Sequence, residues 1–330
     1  MMLTELLATL RDLNVRVYVE GGALKCKAPP NTLTDEIKTL LKTRKEQLIE
    51  ILSQADKYND APITPVLRTE SIPLSYAQQR LWFLDQLEAD SAFYNIPIAL
   101  RLNGQLNVPA LGQSINEVVR RHESLRTAFV TVNGQPRQKV RPDLILPVTQ
   151  VDMTLLSEQT RQTALRSLCR QEAAKPFVLS TDPLIRTTLI TLSHGTDRQE
   201  YILLMTLHHI VSDGWSSAIL TREFVALYQA FSTGKASLLT ELTIQYADFA
   251  CWQRQWLSGE ILQRQIDYWQ KQLGGMPDLL ELPVDFPRPP VMSYCGANYA
   301  FSIPLALSEQ FRALSRHHNT TLFYGLAGCL

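Results

Sequence analysis

The chain is 330 residues long, about two domains' worth, and its 45% hydrophobic and 19% charged residues mean that it can bury cores and is not disordered by composition. Its 32 basic and 32 acidic side chains cancel, so no global field points to nucleic acid or an anionic membrane, and electrostatic recognition has to be local. No apolar run reaches the roughly 18 residues of a membrane-spanning helix, and the N-terminus lacks the apolar core and cleavage site of a signal peptide. The five cysteines (Cys26, Cys169, Cys251, Cys295, Cys329) are scattered, odd in number and never in a CxxC pair. That argues against a disulfide framework and a structural zinc site, and predicts buried free thiols in a soluble, cytoplasmic protein.

Leu3, Leu6, Leu7, Leu10 and Leu13 recur at helical spacing, with Asn14 as a helix stop. VRVYVEGGALKCKA then reads as a β-hairpin, in which Val15, Val17 and Val19 alternate before a Glu20-Gly21-Gly22 turn, and Leu24, Cys26 and Ala28 alternate on the return. A second helix begins near Thr34, with Ile37, Leu40, Leu41, Leu48, Ile51 and Leu52 on one face. Residues 1–54 thus form a small αββα unit. If the valines and leucines face the helices, Arg16, Tyr18, Lys25 and Lys27 face outward together. This basic stripe with an aromatic is either a solvated face or an acceptor for an acidic peptide, which could add as a further strand. Residues 55–71, polar with Pro62 and Pro65 and without periodicity, read as a linker.

From Pro73 onward the pattern mixes helix and strand. A helix over Tyr76–Leu87 precedes a strand through Ile98, Leu100 and Leu102, and a helix carrying Leu111, Ile115, Val118 and Val119 comes next. TAFVTV and QPRQKV, joined by Asn133-Gly134, form a hairpin with a type I′ turn. A helix is expected over Leu155–Lys175, then strands over Arg186–Leu192 and Tyr201–Leu207 joined by a turn at Gly195–Arg198.

Residues 201–207 are almost continuously apolar, as in a strand buried on both faces, and they run into His208-His209. A helix begins near Asp213, with Ile219, Leu220, Phe224, Leu227, Tyr228 and Phe231 turned inward. Polar groups at the end of a buried strand must be hydrogen-bonded or functional. Asp213 by itself is a helix cap, and a lone strand-end histidine is ordinarily a satisfied core residue. Adjacent strand residues point to opposite faces, which argues against His208 and His209 sharing a metal ion, so no metal is expected. No GxSxG elbow, P-loop or dinucleotide fingerprint is present.

HHIVSDG fits the HHxxxDG motif of the condensation domains of nonribosomal peptide synthetases, which share an HxxxD core with chloramphenicol acetyltransferase-like acyltransferases. Three more segments match in order: SYAQQRLWFLDQL (Ser75–Leu87), RHESLRTAF (Arg121–Phe129) and YADFACWQ (Tyr246–Gln253). The αββα unit resembles the docking domain that opens synthetase subunits, typified by the tubulysin assembly line (TubC-type). The resemblance implies an α+β chain: docking domain 1–54, linker 55–71, condensation-domain N-terminal lobe 72–250, and the start of a C-terminal lobe over 251–330. Because the chain stops at TTLFYGLAGCL inside an expected helix, without a later GxFVNT-like motif, the second lobe is expected to be incomplete. The histidine pair argues against a heterocyclisation domain. SYAQQRLWFLDQL with AFYNIPIALRLNG is similar to the class that joins an L-configured or acyl donor to an L-aminoacyl acceptor.

The resemblance also implies roles for the site residues. An upstream carrier would present an acyl or peptidyl thioester and a downstream carrier an amine, both on phosphopantetheine, with no cofactor bound by the chain itself. His209 would be general base or positioning group. Gly214 would let backbone approach the reacting carbonyl and contribute its N–H to holding the oxyanion. His208 would support the fold, and Asp213 would pair with an arginine, Arg121 or Arg126. The docking unit would receive the C-terminal tail of an upstream subunit on Arg16, Tyr18, Lys25 and Lys27. Two other readings stay open: a non-catalytic docking scaffold, and a stand-alone acyltransferase using coenzyme A thioesters.

Overall fold

A computed structural model of the chain describes residues 6, 10, 13, 15–20, 22–29, 32–50, 62–68, 72–88, 91–194, 199–277, 279, 284–287, 289, 296, 299–318 and 320–327. The hairpin near the N-terminus is strands β1 (Arg16–Glu20) and β2 (Ala23–Lys27), paired antiparallel with Val19 opposite Leu24 and Val17 opposite Cys26. Thr34 caps helix α1 (Asp35–Thr43) by accepting from the Ile37 N–H at 3.3 Å, and residues 45–50 continue as helix after a break at Arg44. Of the residues expected in the first helix, Leu13 stands in a turn, half-buried, while Leu6 and Leu10 are helical and buried. They meet Val15, Ile37, Leu41 and Leu48 in one small core. Asn14, Ile51 and Leu52 lie outside the described residues.

The larger part of the chain is built on a four-stranded sheet in the order β4 (Asn95–Asn103), β9 (Gln199–His208), β8 (Ile185–His194), β7 (Val148–Asp152). β9 is antiparallel to both neighbours, and β7 runs parallel to β8. Its continuous apolar run is explained by cover on both faces. Tyr201, Leu203 and Leu207 join one core with helices α3 (Val108–Arg121) and α5 (Gly214–Ser232), while Ile202 and Leu204 join a second with Leu165 and Leu168 of α4 (Glu158–Ala174). A separate three-stranded sheet, in the order β3 (Ile72–Pro73), β6 (Gln135–Val140), β5 (Thr127–Val132), contains the expected Asn-Gly hairpin, with φ of 51° at Asn133 and 73° at Gly134.

Several expectations differ from the structure. Helix α4 starts after Ser157, whose hydroxyl accepts from Thr160 N–H, so Leu155 and Leu156 are exposed before the cap rather than helical. Cys26 is exposed, and Cys169 and Cys251 are half-buried, so the described thiols are not core residues; Cys295 and Cys329 lie outside the described residues, as does the Gly195–Arg198 turn. Within the expected linker, Val66 donates its N–H to Asp248 at 2.8 Å, and Arg68 makes ion pairs with Asp248 and Glu123 at 2.6 Å. This stretch is therefore fastened to the larger part of the chain. The expected boundary at 250/251 runs through one continuous helix, α6 (Tyr246–Trp256), after which comes α7 (Gly259–Leu273).

Residues 277–330 form a second compact unit. Its described helices are α8 (Leu305–His317) and α9 (Leu322–Ala327). A Cβ at Gly325 would stand 2.8 Å from Ser315 Oγ and 3.0 Å from the Phe311 ring, so glycine permits this close approach of α9 to α8.

Candidate active site

Strand β9 ends at the two histidines, and the pleat sends them opposite ways. His208 is 2% exposed, packed edge-on to Phe177, with Nδ1 accepting the Ile210 N–H at 3.1 Å. Burial, aided by the neighbouring His209, lowers its pKa to about 4, so the ring is neutral and carries its hydrogen on Nε2. His209 donates its backbone N–H to the Tyr94 carbonyl at 2.8 Å and turns its exposed side chain into a cleft of about 420 Å³.

Asp213 caps α5. Its Oδ1 accepts from the Ser216 hydroxyl at 2.5 Å and the Ser216 N–H at 2.7 Å, and these bonds hold the carboxyl below its usual range. The expected partnership with an arginine does not form, because both candidates are engaged elsewhere. Buried Arg121 pairs with Glu223 at 3.1 Å, while Arg126 donates to the Arg141 carbonyl at 2.9 Å and lies 3.7 Å from Glu123. Gly214 is the first residue of α5, and a Cβ there would meet nothing within 4 Å. The chain itself does not demand glycine at that point, so any demand comes from what occupies the space in front of it.

The motif segments meet around the cleft. Ser75 caps α2 (Tyr76–Leu87) in a capping box with Gln78, whose amide lies 3.5 Å from the Ile210 carbonyl. Gln245, at the start of α6, accepts the Glu123 N–H at 3.1 Å and donates to the Arg121 carbonyl at 2.8 Å. Tyr246 shares a hydrogen bond with Ser75 at 3.0 Å. Gln78, Leu125, His209, Asp213 and Tyr246 line the cleft together, whereas His208, Gly214, Arg121 and Arg126 do not. Sequence reasoning missed two participants: cleft-lining His122, and buried Glu223, the carboxylate beneath it. A signal for Glu223 was available, since a charged residue midway between Ile219 and Leu227 on an inward helical face needs a partner. Among the described residues no group of three or more His, Cys, Asp or Glu could hold a metal ion, and no helix is long and apolar enough to cross a membrane.

On the hairpin, the register sets Tyr18 opposite Lys25 and Arg16 opposite Lys27, so the four positions share one face. Tyr18, Lys25 and Lys27 are exposed, while Val17 and Leu24 turn to the small core. The Arg16 side chain lies outside the described residues.

The sheet architecture with a histidine-bearing cleft at the end of β9 is that of a chloramphenicol acetyltransferase-like fold. The Condensation domain family model matches residues 68–326, and the chain belongs to that family. The TubC N-terminal docking domain matches residues 3–54. A linear gramicidin synthase polypeptide of Brevibacillus parabrevis is 44% identical over 281 residues, 85% of this chain and 4% of that protein. Malpinin synthetase of Mortierella alpina is 46% identical over 261 residues, 79% of this chain and 3% of that protein. This chain therefore spans a small share of these relatives. Among solved structures, the X-domain from teicoplanin biosynthesis superposes with a TM-score of 0.68 at 26% identity, covering 79% of this chain and 56% of that one.

Proposed function

We propose that the chain forms an amide bond between a carrier-bound acyl or peptidyl thioester and a carrier-bound aminoacyl amine, in nonribosomal peptide or hybrid polyketide biosynthesis in the cytoplasm. The observation that carries this reading is the division of the histidine pair: His208 is sealed and neutral, while His209 stands in the cleft. The thioester is already activated, so no covalent enzyme intermediate is needed. The amine nitrogen attacks the carbonyl carbon, the C–S bond breaks, and the proton released by nitrogen ends on the leaving thiolate. His209 accepts that proton or holds the amine in line. The N-terminus of α5, where Asp213 and Ser216 line the cleft, supports the oxyanion, with the Gly214 N–H in its first turn. His208 pins the strand end and Asp213 shapes the helix start. The similarity in SYAQQRLWFLDQL favours an L-configured or acyl donor and an L-aminoacyl acceptor.

The exposed hairpin face would receive an acidic C-terminal tail of an upstream subunit. Lys25 and Lys27 supply charge, Tyr18 supplies apolar area, and a strand edge supplies backbone hydrogen bonds. Substrates would arrive on the phosphopantetheine arms of donor and acceptor carrier proteins.

The test is intact-mass spectrometry of carrier-bound products, with the chain mixed with a loaded donor carrier and a loaded acceptor carrier. An amide product lost in His209→Ala supports condensation. No product from folded chain that still binds an acidic tail leaves a docking scaffold as the better description, and turnover with free coenzyme A thioesters would instead mark a stand-alone acyltransferase.

A further inference from the structure

Two imidazoles line the cleft, His209 and His122, and amide formation with His209 as base or positioning group leaves the second without a task. His122 ends α3, with its backbone N–H bonded to the Val118 carbonyl at 3.0 Å, and sets Nε2 2.9 Å from Glu223 Oε2. The same carboxylate oxygen accepts from Arg121 Nε at 3.1 Å. Arg121 gives its other donors to the carbonyls of Thr240 at 2.8 Å and Leu239 at 3.5 Å. Burial acts to raise the Glu223 pKa, but the hydrogen bonds from Arg121 and His122 outweigh it and hold the carboxyl below its usual range. An ionised carboxylate only accepts, so Nε2 of His122 carries the hydrogen of this bond, and in the neutral ring the lone pair is then on Nδ1. A buried carboxylate behind an imidazole is the arrangement that fixes a base in one tautomer and stabilises its protonated form. No hydrogen-bonded carboxylate stands behind the His209 ring among the described residues. The charged or titratable groups around His122 are Glu223 and Arg121 behind it, with Arg80, His209, Asp213 and Tyr246 on the cleft walls.

The chemistry of amide formation calls for a second base. An α-amino group titrates near pH ~8, so at neutral pH the acceptor nitrogen is mostly ammonium. Its nitrogen carries three hydrogens as ammonium and one as the amide product, so two protons leave. The thiolate takes one, and the other must be removed before attack. We propose that His122, oriented by Glu223, takes the first proton from the acceptor ammonium and passes it to solvent, while the second, released during attack, is handled at His209 and delivered to the thiolate. The step rests on the condensation reading of the cleft.

The test compares the wild-type chain with His122→Gln, each matched for fold by circular dichroism and melting temperature. Single-turnover rates would be measured across pH with an aminoacyl acceptor carrier and with one bearing an aminooxy acid, whose nitrogen is uncharged at neutral pH. His122→Gln should lower the aminoacyl rate about tenfold at neutral pH, where roughly a tenth of the acceptor is already free amine, with the deficit vanishing as pH rises past ~8. The aminooxy rate should be nearly unchanged. A deficit equal for both acceptors at every pH would mean that His122 only packs, and an unimpaired variant would likewise overturn the step while leaving condensation intact. Absence of product from the wild type would overturn the condensation reading and this step with it. Imidazole nitrogen NMR of the same chain adds a readout independent of turnover: Nε2–H at His122 is expected, and Nδ1–H would overturn the proposal.

Discussion

The β1–β2 hairpin and strand β9 obey the same two-residue alternation, yet they present chemistry in different ways. In the hairpin one face packs on a small core and the other meets solvent, so alternation gathers Tyr18, Lys25 and Lys27 into one surface. Strand β9 is covered on both faces, by α3 and α5 on one side and α4 on the other, so it has no surface to offer along its length. Chemistry appears there only at its end, where the first residue beyond the sheet, His209, turns into the cleft. An exposed pair of strands can recognise an extended partner, whereas a buried strand can aim one side chain with little freedom.

Four experiments probe this contrast. The largest effect is expected from His209→Ala, which should lower condensation by about 100- to 10,000-fold, as for loss of a general base, with little change in melting temperature because the side chain is exposed. A large loss of stability would place His209 in the core with its neighbour. Next comes His208, whose folded pKa of about 4 lies below its unfolded value of 6.5. Between those values the unfolded chain binds more protons, so its stabilisation is full above pH 6.5 and is lost as pH falls through about 4. Denaturation curves should show roughly 3 kcal/mol lost across that window, and His208→Phe should flatten the slope. An unchanged slope in the variant would assign the acid sensitivity to other groups.

On the hairpin, reversing both Lys25 and Lys27 to Glu should weaken an acidic tail peptide about tenfold in calorimetry at low salt and remove most of the salt dependence, without unfolding the unit. Undiminished binding would make the basic stripe a solvated face. The smallest effect is reserved for Asp213. As a helix cap it should lose about 1 kcal/mol on change to Ala and recover most of that as Asp213→Ser, whose hydroxyl also caps. Equal losses in both variants would restore a role for the negative charge itself.

The elements that could be read from the chain were those set by local pattern. Asn133-Gly134 demanded positive φ at both positions and thereby fixed a hairpin turn. The alternation of Val17, Val19 and Leu24 fixed which hairpin face turns inward, and opposite side-chain directions at consecutive strand residues separated His208 from His209. Hydrophobic pattern puts the start of α4 two to three residues early, because the apolar pair Leu155-Leu156 looks helical while the Ser157 cap decides where backbone N–H groups find an acceptor. The expected Asp213–arginine pair failed for a related reason. Asp213 has a local acceptor's task at Ser216, and Arg121 meets a nearer buried carboxylate in Glu223.

Local sequence determined the helices, strands, turns and caps of this protein, because backbone preference and hydrophobic period act over a few neighbouring residues. It also carried the ordered motifs that mark a condensation domain behind a docking unit. Only the tertiary structure decided that α3, α5 and α6 bring Arg121, His122, Glu223 and Gln245 to one place, from segments up to 124 residues apart. Which charges pair there depends on distances and burial in three dimensions, since a buried carboxylate takes the nearest well-placed donors wherever the chain supplies them.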